Sequence, residues 1–144
     1  MFNLDDCMVY IISQSAKAFS EALDRRLRPY NITRPQWMAI YYIYTGDFMT
    51  QRALADKMSV KEPTVVRLIQ KMEQYEILTS FSTNEDKRLK QLALTDKGIR
   101  LFHQLLPVAE KFKNDTIAGI SEENLQILKD TLNTMVSNAL KNRL

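Results

Sequence analysis

Residues 50–98 read TQRALADKMSVKEPTVVRLIQKMEQYEILTSFSTNEDKRLKQLALTDKG, and this stretch decides the fold. Thr50 is placed to cap a short helix over Gln51–Met58 that turns Ala53, Leu54 and Met58 inward. A turn at Ser59-Val60 follows. Pro63 then stands in the first turn of a further helix, where its missing N–H is not needed. Val65, Leu68, Ile69, Met72 and Ile77 mark that helix's inner face. Helix, short turn, helix is the outline of a helix-turn-helix. The chain then changes character. Residues 77–82 are β-branched and aromatic, residues 89–94 form a second apolar run, and polar residues 83–88 lie between. This pattern predicts a β-hairpin with a long tip. The tip has no Asn-Gly type turn, which leaves its conformation open.

Helices are predicted on both sides. Upstream, Met8, Ile11, Ile12, Ala16, Phe19, Ala22, Leu23 and Leu27 recur at three- and four-residue steps, predicting a helix over residues 4–28 that Pro29 stops. Thr33-Arg34-Pro35-Gln36 carries a cap, a first-turn proline and the second half of a capping box. The helix it opens continues through Trp37, Ile40, Tyr41 and Ile43 to Gly46-Asp47. Downstream, Thr95 caps a helix through Ile99, Phe102, Leu105 and Leu106. Pro107 should kink it, and Gly119 is placed to end it. Ser121 caps a last helix in which Leu125, Leu128, Leu132, Met135, Ala139 and Leu140 form a near-heptad stripe. The expected fold class is mainly α with a small β-hairpin wing: one domain over residues 1–144. Residues 33–98 form a winged helix-turn-helix lobe, and residues 4–32 and 99–144 a helical region. The long apolar stripes of the first and last helices are best buried against a second copy, giving a homodimer; packing on each other within one chain is the alternative.

Composition excludes much else. The 144 residues include one cysteine, Cys7, so no internal disulfide can form, which suits a reducing compartment. The N-terminus carries acids where a signal peptide carries lysines, and no apolar run reaches the length of a membrane span. The expectation is a soluble cytoplasmic protein. Residues 50–100 hold 10 Lys/Arg and 7 Asp/Glu, which is the whole net excess of +3. A local excess there suits a DNA-facing surface. Catalysis needs paired titratable groups, a metal cluster or a phosphate loop. The sole histidine, His103, has no cysteine or second histidine beside it, and 3 scattered glycines build neither a P-loop nor GxGxxG. No enzyme, metal or cofactor is expected.

The order of elements resembles the MarR family of bacterial transcription regulators over nearly the whole chain. Asn84-Glu85-Asp86-Lys87-Arg88 followed by Leu94-Thr95-Asp96-Lys97-Gly98 carries the resemblance most specifically. Asn31-Ile32-Thr33-Arg34-Pro35-Gln36-Trp37 and Pro63-Thr64-Val65-Val66-Arg67 with Met72-Glu73 add to it. The chain departs from the pattern at Glu76, where a glycine usually ends the recognition helix, and at Val66, where Ser or Thr is common.

The resemblance implies a homodimer that binds double-stranded DNA through the helix of residues 61–75. Glu62, Pro63, Thr64, Val66 and Arg67 are then the residues facing bases, with Arg67 suited to guanine O6 and N7. Lys61 and Lys71 suit phosphates. At the wing, Arg88 resembles the family arginine of the minor groove, oriented by Asp86, with Lys87 and Lys90 on phosphates. Repression is the family's common mode. The family's effectors are small, often aromatic, anions, and Tyr10, Arg34, Trp37 and Tyr41 are the candidates to line such a pocket, although aromatics at helical spacing are more often core. Redox control through Cys7 is an alternative, since hydroperoxide sensors of this family carry a cysteine early in the first helix. By count from Asn31 theirs falls nearer Val9. A helical interaction module without DNA binding is the other alternative.

Overall fold

The computed structural model describes residues 1–83 and 86–141, with the backbone alone at residues 83 and 86–88. It contains two compact units, Met1–Phe112 and Lys113–Leu144. The chain runs α1 (Met8–Leu27), α2 (Arg34–Thr45), β1 (Met49–Thr50), α3 (Gln51–Met58), α4 (Glu62–Gln74), β2 (Leu78–Thr83), β3 (Asp86–Leu94), α5 (Asp96–Ile117) and α6 (Glu122–Lys141). The strands form one antiparallel sheet in the order β1-β3-β2, with Met49 opposite Leu92 and Leu78 opposite Leu94. This is a mainly helical fold with a small wing.

The core of the first unit joins α2, α3, α4, the sheet and the start of α5. Leu27, Ile40, Leu54, Val65, Ile69, Met72, Leu78 and Leu105 are fully buried in it. Local chemistry sets the helix starts. Thr33 and Gln36 form both bonds of the capping box on α2. Asp24 on α1 accepts the Arg34 N–H at 2.7 Å and so fastens α2 to α1.

Three features differ from the sequence expectation. The first helix begins at Met8, because residues 4–6 make a separate 3-10 turn held by the Asn3 side chain and Cys7 is extended. The sheet gains the short edge strand β1, which leaves no periodicity to read. β3 begins at Asp86, so residues 86–88 lie in a strand and not in a long tip. The ladder needs only backbone groups, and polar side chains do not stop it. α5 runs from Asp96 to Ile117 with Pro107 inside it, the span expected from the sequence; the proline removes one N–H donor without ending the helix.

The second unit holds the last residues of α5, a turn at Gly119 with φ of 80°, and α6. The Ser121 hydroxyl accepts the Asn124 N–H at 3.1 Å and caps α6. No described residue of α6 is buried, and Ile127, Leu128, Val136 and Leu140 are exposed. No described helix is long and apolar enough to cross a membrane.

Candidate nucleic-acid interface

The interface is built around α4. The Thr50 hydroxyl caps α3 by accepting the Ala53 N–H at 3.1 Å. α3 ends where Ser59 turns left-handed, with φ of 56°. The Val60 N–H reaches the Ala55 carbonyl at 3.1 Å and the Ser59 N–H the Asp56 carbonyl at 3.2 Å, a Schellman closure. That closure aims the chain into α4. Lys61, the N-cap of α4, has no side-chain acceptor to offer the first turn. The first turn therefore lacks a side-chain cap, and Glu62 is the acidic residue beside its positive end.

Val65, Ile69 and Met72 lock one face of α4 into the core. The opposite face presents Lys61, Glu62, Pro63, Thr64, Arg67 and Lys71 to solvent, with Val66 half-buried. Glu62, Pro63, Val66 and Arg67 line one open depression of about 450 Å³. Among the described residues, no hydrogen bond or ion pair engages the side chains of Lys61, Arg67 or Lys71. The structure thus gathers the expected residues of α4 on one accessible face. On the wing, Lys90 is exposed, while the side chains of Asp86, Lys87 and Arg88 lie outside the described residues.

The far end of α4 is clamped by a set of residues that sequence reading found only as a motif. Glu76 takes the left-handed conformation, with φ of 58°. The Ile77 N–H bonds the Met72 carbonyl and the Glu76 N–H the Glu73 carbonyl, both at 2.9 Å. The Thr95 hydroxyl donates to the Glu76 carbonyl and accepts the Gly98 N–H at 3.1 Å. The Thr95 N–H bonds the Ile77 carbonyl at 3.0 Å. The Lys97 ammonium donates to the Tyr75 carbonyl at 2.8 Å. A Cβ at Gly98 would stand 2.2 Å from the Ile77 carbonyl oxygen, so only glycine lets α5 approach this closely. Leu94-Thr95-Asp96-Lys97-Gly98 therefore joins the base of the wing, the start of α5 and the end of α4.

Trp37 and Tyr41 are neighbours, with ring centroids 6.0 Å apart. Trp37 is 7% exposed and packs on Phe102, which stacks on Tyr44 at 3.7 Å. The Arg34 guanidinium turns to the Met38 sulfur at 3.1 Å. Tyr10 is half-buried on α1, and among the described residues no ring contact joins it to Trp37 or Tyr41. Cys7 is half-buried at the N-cap of α1.

The sequence model of the MarR family matches residues 32–90, from the start of α2 into the wing. The fold is similar to that of S. aureus MepR in its DNA complex, with a TM-score of 0.85 and 24% identity over 92% of this chain and 98% of that one. It is similar to the transcriptional regulator PA3341, with a TM-score of 0.81 and 28% identity over 95% of this chain and 100% of that one. The transcriptional repressor CouR, bound to a 23-mer DNA duplex, matches with a TM-score of 0.81 and 19% identity over 92% of this chain and 94% of that one. The chain is thus similar to the MarR family in sequence over residues 32–90, and similar in fold over nearly its whole length to the transcriptional regulator PA3341.

Proposed function

We propose that the protein is a sequence-specific, double-stranded DNA-binding transcription regulator that acts as a homodimer, in the repressing mode. One observation carries the reading: α4 buries one face and leaves Lys61, Thr64, Arg67 and Lys71 accessible on the other, their side chains without a partner among the described residues. An unpaired cationic face on a rigidly anchored helix is what major-groove recognition requires. Arg67 donates to guanine, Thr64 meets a base edge or a thymine methyl, and Glu62 accepts from cytosine N4. Lys61, Lys71, Lys87 and Lys90 take phosphates, and Arg88, oriented by Asp86, enters the minor groove. Support comes also from MepR and CouR, relatives in fold whose structures contain DNA.

The exposed apolar residues of α1 and α6 support a second copy. A two-fold dimer reads a pseudo-palindrome with half-sites about 10–10.5 bp apart. A small effector that shifts the spacing of the two recognition helices completes the reading. The test is selection of bound duplexes from a random pool at near-physiological salt with a nonspecific competitor. The expected result is a two-fold symmetric motif. Failure to enrich any sequence, together with capture of a protein partner, would favour an interaction module instead.

A further inference from the structure

A cavity of about 480 Å³ lies at the clamped end of α4, bordered by Lys71 from the exposed face of that helix. Its walls come from the loop before α2, with Tyr30 and Asn31, from the end of α4, with Lys71 and Tyr75, and from Lys97 on α5. Two ammonium groups line it, and no carboxylate does. One of them has a structural duty: Lys97 donates to the Tyr75 carbonyl, which neutralises the negative end of the α4 dipole. That duty needs one cation. The Lys71 side chain has no hydrogen-bond or ion-pair partner among the described residues, yet Lys71 borders the same space. Two cationic residues border one cavity, and an anion held between them gains attraction from both.

The charge count selects the class of anion. A carboxylate brings one charge and two oxygens. A phosphate monoester brings a charge of about −1.5 to −2 near neutral pH and three acceptor oxygens. The lining offers it two ammonium groups, two phenols and the Asn31 amide. The volume exceeds that of a phosphate alone and falls in the range of small-molecule sites, about 300–1,000 Å³. The Tyr30 and Tyr75 rings suit a flat organic body attached to the phosphate.

We propose that this cavity binds a small phosphate monoester between Lys71 and Lys97. The binding claim stands apart from the DNA reading. A regulatory consequence rests on that reading: Lys71 cannot serve a ligand phosphate and a DNA phosphate at full strength, so ligand and DNA oppose each other, reciprocally.

The experiment is isothermal calorimetry on the full chain in low-salt buffer without DNA, with adenosine monophosphate and inorganic phosphate as probes. Saturable binding of either is expected, weakened at least tenfold by Lys71→Gln and by Lys97→Gln. The Lys71 side chain makes no hydrogen bond or ion pair among the described residues, so Lys71→Gln keeps the test valid if Lys97→Gln unfolds. Tighter binding of the nucleotide than of phosphate supports the organic subsite, and equal binding confines the site to the phosphate group. No heat from either probe at millimolar concentration overturns the proposal, as does binding indifferent to Lys71→Gln. In a second arm, saturating probe should weaken binding to a nonspecific duplex. A chain that binds the probe but no DNA would sink the DNA reading and leave the phosphate site standing.

Discussion

Gly98 has no room for a side chain. An alanine Cβ there would meet the Ile77 carbonyl oxygen at 2.2 Å, and that carbonyl is already fixed by the Thr95 N–H. The backbone must yield, because no flexible side chain stands in the way. Gly98→Ala should destabilise the fold by about 1–3 kcal/mol, the usual cost of overpacking. It reads out as a lower urea midpoint with an unchanged m-value; an unchanged midpoint would mean that α5 moves away at no cost. The α4 side chains separate in a different assay. Arg67→Ala should cost about 1–3 kcal/mol of DNA binding and relax the preference at one base pair. Lys61→Ala should weaken all sequences alike and lower the salt slope by about 1. Equal salt slopes for wild type and Lys61→Ala would remove Lys61 from the phosphate contacts.

At the scale of the element, α4 is held from its far end. Glu76 sits left-handed, where a Cβ costs on the order of 1 kcal/mol and glycine costs nothing. Glu76→Gly should therefore stabilise the protein by roughly that amount in denaturant titration, with DNA affinity preserved. Destabilisation would show that the Glu76 side chain matters more than its backbone. Much of this architecture was legible. The Thr33–Gln36 capping box, the Thr50 and Ser121 caps and the inner face of α4 follow from residue type and spacing, because each acts within one or two turns. The clamp was visible as a motif but not as a mechanism. Thr95 meets Ile77 and Lys97 meets Tyr75 across about 20 residues of chain, a closure that local patterning does not encode. β1 and the early start of β3 escaped because backbone pairing leaves no mark on side-chain pattern. The cavity beside Lys71 escaped because its walls come from three separate segments. Trp37 shows the limit of residue type: an aromatic residue at helical spacing is more often core than pocket, and here it is buried against Phe102.

For the whole molecule, the question is what covers the apolar helices. Met8, Val9, Ile11 and Phe19 on α1 are exposed, as are Ile127, Leu128, Val136 and Leu140 on α6. Scattered exposed apolar residues need no explanation, but two helices that each repeat them along a stripe do. Burial is worth about 25 cal/mol per Å², so a partner supplying a matching stripe gains several kcal/mol from such faces. A second copy is the economical partner, since it brings the same two stripes and the two-fold symmetry of a palindromic site. The expected solution mass is twice the 16.8 kDa of the chain. Leu128→Glu with Val136→Glu places charges where the chain itself buries nothing, so each subunit should keep its fold. The doubly substituted protein should sediment as a monomer and keep its far-UV spectrum. It should lose most of its affinity for a paired-half-site duplex while binding a single half-site as weakly as wild type does. A dimeric variant would move the interface off α6, and a monomeric variant with full affinity for the paired site would separate DNA recognition from dimerisation.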